Sequence, residues 1–249
     1  MKMKLKWLGL TAALALAGNA QATILTVFDG ITAGVSNFDS TVSAAGGTVK
    51  VDVWSGLTNG TSISRTDYTI TKNNGGTAGI TSYGTLSGQA VIINPFGGGS
   101  NPRTNPMDYF DSGMSLTFND PVNAVGFEVG DWATCCFDPT TDLFISFDDG
   151  TPIQVASASQ YSDGLYPSQN DPQTLVSEIF VAAFDDSGSF NKVSFWGNGI
   201  GEYLVAGGQV RYALLNTGSL PPVPEPAVLA LISFGLLGFG GYRLRKTAG

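Results

Sequence analysis

An alternation of period two, delivered in short pieces between Thr23 and about Thr217, constrains this chain more than any other feature. In TVKVDVW, Val49, Val51 and Val53 share one face while Lys50 and Asp52 take the other. MSLTF sets Met114, Leu116 and Phe118 on one side, and NAVGFEVGDW does the same with Val125, Phe127 and Val129, with Glu128 opposite. DLFISFDDG aligns Leu143, Ile145 and Phe147 ahead of an Asp148-Asp149-Gly150 turn. NKVSFWGN pairs Val193 with Phe195, and GQVRYALL groups Val210, Tyr212 and Leu214. Side chains alternate across a strand, so each run offers one apolar and one polar face. Gly, Asn, Asp and Pro separate the runs and suit tight turns. No window of comparable length holds a clean helical period. The pattern predicts an all-β domain over 23–217 with about ten to thirteen strands, arranged as an antiparallel, jelly-roll-like β-sandwich. A span of about 195 residues is enough to bury a real core. Residues 95–113, 131–141 and 157–174 interrupt the alternation and read as long loops.

Both ends depart from this pattern. The first segment, MKMKLKWLGLTAALALAGNAQA, begins with three lysines, continues as an apolar stretch from Trp7 to Ala17, and closes on Ala20-Gln21-Ala22. Small residues at Ala20 and Ala22 suit signal peptidase, so residues 1–22 read as a signal peptide cleaved after Ala22. Export places the domain in an oxidising compartment. Its only cysteines are neighbours, Cys135 and Cys136. Three states are open to them: a strained vicinal disulfide, two free thiols, or a bridge to another molecule.

At the other end, residues 218–226 form a Pro-rich linker, and Ala227 to Tyr242 is an apolar run interrupted among polar side chains only by Ser233. As a helix the run reaches about 24 Å, short of a hydrocarbon core of about 30 Å. Its flanks favour a membrane span all the same. The basic tail 243–249 carries Arg243, Arg245 and Lys246, which suits a cytoplasmic end. On length alone, a plain anchor and a buried helix also remain open.

Val223-Pro224-Glu225-Pro226, an apolar helix and a terminal basic cluster, in that order, resemble a PEP-CTERM sorting signal. The resemblance covers about the last 27 residues of the chain. It implies recognition of Pro224, Glu225 and Pro226 by an exosortase in the inner membrane, a transient stop there, and transfer outward. The phrases VNAVGFEVGDW, FISFDDG and FNKVSFWGNGIGEYLVAGGQVRYALL are also similar to lectin-like sandwich domains found ahead of such signals. Those domains usually carry an Ile-Asp-Asn-Val-like last strand where this chain has Gly208-Gln209-Val210-Arg211, so no ligand-contact residue is carried over.

The chemistry open to the domain is narrow. The chain has a formal charge of −8 and contains no histidine. With the basic ends set aside the acid excess grows, which disfavours nucleic acid and anionic lipid as partners. Histidine-dependent triads, dyads and zinc sites cannot be built. No phosphate-binding glycine motif lies between a strand and a helix. We therefore expect no catalytic residue, no metal ligand set and no cofactor. Asp29-Gly30, Asp148-Asp149-Gly150, Asp163-Gly164 and Asp185-Asp186 offer hard oxygen ligands of the kind Ca²⁺ takes, without EF-hand spacing, and equally suit ordinary turns.

Trp54 and Trp196 alternate outward and Trp132 sits in the cysteine loop, where indole rings could stack on sugars; burial in a second sheet interface or at a sandwich end is the other reading of all three. The reading that follows is an exported, non-catalytic adhesive module, finally at the cell surface or in the extracellular matrix of a biofilm. Signal peptidase and exosortase would be its partners in export and exopolysaccharide its ligand. A polysaccharide hydrolase drawing on Glu128, Glu178 or Glu202 and a ligand-free spacer are the alternatives.

Overall fold

The computed structural model describes residues 23–93, 105–134, 141–197 and 203–221. Two antiparallel sheets dominate it. The larger contains β1 (Ile24–Gly30), β13 (Glu178–Asp185), β8 (Ala124–Gly130), β15 (Leu204–Ala213), β6 (Gln89–Ile93) and β5 (Ile80–Ser82) in that spatial order, with β2 (Lys50–Val53) also paired to β15. The smaller runs β10 (Ile153–Ala158), β9 (Thr141–Phe147), β14 (Phe190–Gly197), β7 (Met114–Val122), β4 (Tyr68–Lys72) and β3 (Ile63–Ser64). A separate two-stranded hairpin joins β11 (Tyr166–Pro167) to β12 (Leu175–Val176). The protein is thus an all-β antiparallel sandwich, as the alternation predicts. Among the described residues the strands number 15, more than ten to thirteen, because two-residue strands such as β3 and β11 are too short to show a period.

Most of the alternating runs face as expected. Val125, Phe127 and Val129 of β8 meet Met114, Leu116 and Phe118 of β7, Leu143, Ile145 and Phe147 of β9, and Val193 and Phe195 of β14 in one buried cluster between the sheets. Phe127 and Phe195 touch edge to face across that core, with ring centres 4.8 Å apart. Full burial of each such side chain contributes roughly 1.5–3 kcal/mol.

Two expectations about this layer are corrected. Val51 and Val53 share a face, but it is the outer one, and they are 48% and 44% exposed. Opposite them on β15 lie Arg211 and Gln209, while Asp52 pairs with the core residue Val210. Asp52 can point inward because Arg65 and Tyr68 satisfy it there. Leu214, grouped by pattern with Val210 and Tyr212, lies just past β15 and is exposed.

A further correction is a helix, α1 (Ile31–Ala44), in a chain read as free of helical period. Its buried positions, Ile31, Gly34, Phe38 and Val42, follow a three-then-four spacing, but they are only four residues among β-branched and polar neighbours. Packing on the outer face of the larger sheet stabilises it. Phe38 lies 6.0 Å from Phe180 and 5.0 Å from Phe184, ring centre to ring centre. A Cβ on Gly34 would come within 2.7 Å of the Phe180 Cβ, so the small residue permits that approach. The continuous apolar run of β13, IFVAAF, reflects this burial on both faces.

At the far end of the fold the packing continues to Leu220, which is buried, beyond residue 217 where the sandwich was expected to end. No helix among the described residues is long and apolar enough to cross a membrane. Residues 1–22 (the expected signal peptide), Cys135, Cys136, Glu202 and everything from Pro222 onward lie outside the described residues.

Candidate functional site

The tryptophans do not form a stacking platform. Trp54, Trp132 and Trp196 are all fully buried, which overturns the sugar-stacking reading and bears out the burial alternative. Trp196 does point away from the sandwich core, as its alternation requires. Residues 106–110 then cover it: its Nε1–H donates to the Pro106 carbonyl at 2.6 Å, and Phe110 meets its ring edge-on at 5.0 Å. Trp132 packs edge-on against Phe28 at 5.1 Å. Trp54 belongs to the main buried cluster and donates to the Tyr68 hydroxyl.

What Trp54 helps to build is a groove on the outer side of the larger sheet. A cavity of about 380 Å³ opens between residues 53–56 and the β5–β6 connection, residues 82–89. Val53 and Leu86 supply apolar surface; Ser55, Ser82, Ser87 and Gln89 supply hydroxyls and an amide. Small polar groups beside aliphatic ones can match a sugar ring, which has an apolar face and polar edges.

Two glutamates hold the 83–88 turn in place. Glu128 on β8 and Glu178 on β13 project from the same outer face of adjacent strands, one pleat apart. The Ser87 backbone N–H donates to Glu128 Oε2 at 2.6 Å, and the Ser87 hydroxyl donates to Oε1. Thr85 repeats the pattern on Glu178: its N–H donates to Oε1 at 2.9 Å and its hydroxyl to Oε2. Gln169 Nε2 donates to the Thr85 carbonyl from the other side. Both glutamates are buried, so the turn closes over them. Burial drives the Glu128 pKa up to about 7, hydrogen bonds from Ser87 and the Gln209 backbone oppose the rise, and the neighbouring charge of Glu178 adds to it.

Local backbone makes this arrangement fit. Gly84 has φ +47, and a Cβ there would lie 1.6 Å from Glu178 Oε1. Gly208 has φ +61, and a Cβ there would lie 2.1 Å from Glu128 Oε2. Gly208 sits where the β15–β8 register slips between Gly207 and Val210. Such a bulge needs positive φ and leaves room for the carboxylate. Alternation placed Glu128 on the outward face correctly, but it gave no sign that a turn some 40 residues earlier would cover it.

Among the described residues, no three acidic or cysteine side chains converge as a metal site. Several of the aspartates weighed as hard ligands or turn residues accept backbone N–H groups at turns and loop contacts. Asp148 Oδ1 accepts the N–H of Asn191 and of Lys192, Asp163 Oδ2 accepts that of Ser159, and Asp185 Oδ1 accepts that of Ser187.

The comparisons bear on the tail. Residues 222–246 carry a PEP-CTERM protein-sorting motif. The motif implies export and exosortase-dependent sorting at the membrane, and it begins one residue after Pro221, the last described residue of the folded body. The whole chain has no match among curated proteins. Among solved structures it is similar to a variant of a family 29 carbohydrate-binding module, at 14% identity and a TM-score of 0.31, over 72% of this chain and 99% of that one.

Proposed function

We propose that this PEP-CTERM chain is a non-catalytic module that ends at the cell surface or in the extracellular matrix and associates there with exopolysaccharide, its groove between residues 53–56 and 82–89 taking the polymer. Its signal peptide would be removed by signal peptidase and its tail processed by exosortase. The observation that supports the non-catalytic reading is the state of the acid pair. Glu128 and Glu178 are buried, and all four of their carboxylate oxygens accept hydrogen bonds from the turn above them. A glycosidase needs its two carboxyls open to the scissile bond. Here they are spent on shaping the rim of the groove.

The test is glycan binding by the exported chain on polysaccharide arrays, with and without Ca²⁺, beside a variant carrying Val53→Asp and Ser55→Asp. Both positions are exposed, so the variant should fold. Binding by the parent and its loss in the variant supports the reading. Retained binding moves the ligand elsewhere, and absence of binding makes the module a spacer. Release of oligosaccharide that stops on Glu128→Gln or Glu178→Gln would instead make it a hydrolase.

A further inference from the structure

Asp186, in the turn after β13, is fully buried, and its two oxygens face two separate ends of the chain. The Thr23 backbone N–H donates to Oδ1 at 2.6 Å, and the Leu220 N–H donates to Oδ2 at 2.8 Å. The Asp186 carbonyl also accepts from the Gly218 N–H at 3.2 Å. Asn123 gives the same strand end a second hold: the Leu215 N–H donates to its Oδ1 at 2.7 Å, and its Nδ2 donates to the Leu215 carbonyl at 3.0 Å. Thr23 directly follows the expected signal-peptide cleavage point, and Leu220 stands two residues before the sorting motif. One carboxylate therefore joins the two places where membrane-seeking segments leave the body.

Asp186 has no Lys or Arg partner among the described residues; the four ion pairs there are Lys50–Asp67, Arg65–Asp52, Lys192–Asp149 and Arg211–Asp39. A buried carboxylate held only by neutral amides is incompletely compensated. The shorter of its two side-chain hydrogen bonds is the one from the Thr23 nitrogen, at 2.6 Å. Hydrolysis of the Ala22–Thr23 peptide bond leaves a carboxylate on Ala22 and a new amine on Thr23, which at an ordinary pKa near 8 takes up a proton at neutral pH.

We propose that removal of the signal peptide supplies Asp186 with its missing cation, the Thr23 α-ammonium, and that the resulting buried ion pair fastens the base of the sorting tail at Leu220. The proposal rests on the reading of residues 1–22 as a signal peptide cleaved after Ala22. Hydrogen bonds with an ionised donor are about twice as strong as neutral ones. Tightening Oδ1 on the ammonium fixes the carboxylate plane, and with it the acceptor for Leu220. The sorting motif begins two residues beyond Leu220, so fastening Leu220 fixes the point at which the tail leaves the body.

The experiment compares two chains in detergent, both ending at Gly249: one begins at Thr23, the other retains Ala22 ahead of it. Each is also made with Asp186→Asn. At pH 7 the chain beginning at Thr23 should melt higher, and its Leu220 amide should exchange about tenfold more slowly, than in the Ala22 chain. Asp186→Asn should erase both differences. Should Asp186→Asn not fold, Leu220 exchange in the two parent chains still decides. Equal melting and exchange in the parents, or a difference that survives Asp186→Asn, overturns the ion pair. Amino-terminal sequencing of exported protein separates the premise from the pair: a start other than Thr23 overturns the proposal through the cleavage point, whatever the melting data show.

Discussion

Trp54 donates its indole N–H to the Tyr68 hydroxyl at 2.6 Å, and Tyr68 in turn donates to Asp52 at 2.7 Å. Arg65 completes the chain, with Nε to Asp52 Oδ2 at 2.9 Å and one terminal nitrogen to Oδ1 at 2.5 Å. Burial alone would raise the Asp52 pKa, but the Arg65 and Tyr68 hydrogen bonds outweigh it and the net shift is downward. This relay spans the end of the sandwich beside the groove. Tyr68→Phe leaves the Trp54 N–H without its acceptor and removes one donor from Asp52, which keeps Arg65. We expect a loss of about 1–3 kcal/mol, read by urea unfolding. Because the residues share one network, adding Trp54→Phe should cost less than the two single losses combined.

Glu128 sets the pH response of the turn above the sheet. Its pKa rises from 4.5 in the unfolded chain to about 7 in the fold. A raised carboxyl pKa means the folded state holds the proton longer. Stability from this group is therefore fully present below about pH 4.5, is lost as pH rises toward 7, and levels off above that. The span corresponds to a loss on the order of 3 kcal/mol. Melting temperatures measured from pH 4 to pH 8 should show the decline in the parent and a flatter profile in Glu128→Gln.

Gly84→Ala tests whether the fit of the turn over Glu178 governs the groove. The new Cβ would collide with the Glu178 carboxylate, and φ +47 disfavours any L side chain. We expect a cost above about 2 kcal/mol by calorimetry. Gly56→Ala is the control. It also has positive φ, at +66, but a Cβ there meets nothing within 4 Å. Only backbone strain remains, about 1 kcal/mol.

Phe38→Ala should detach α1 from the sheet. The ring is fully buried against Phe180 and Phe184, and a cavity of that size costs about 3–5 kcal/mol. Hydrogen exchange should show residues 31–44 losing protection well before β8 and β13. Uniform loss across the domain would mean that α1 and the sandwich unfold as one unit.

The strands of the central layer were legible because the alternation that builds them is local: Val125, Phe127 and Val129 carry their own evidence of a shared face. The helix was not, because ITAGVSNFDSTVSA has little intrinsic preference for helix and forms one by laying Phe38 on Phe180. The continuous apolar run of β13 signals that cover, since a strand with one wet face has no use for Phe180 and Phe184 on it. The groove was illegible for a different reason. Its shape depends on Ser87 reaching Glu128 and Thr85 reaching Glu178, contacts 41 and 93 residues apart in sequence.

The chain's own order of residues determined that it forms a β-sandwich with a sorting tail, since strand alternation, proline spacing and an apolar run beside basic residues act without reference to distant parts. Only the tertiary structure decided which alternating face is wet. Val51 and Val53 look like core and stand in water, while Trp196 points outward and lies beneath Phe110. Burial depends on what packs over a surface, and no strand encodes its own cover. The same holds for Asp186, whose partners Thr23 and Leu220 lie 163 and 34 residues away and meet only when the sheets close.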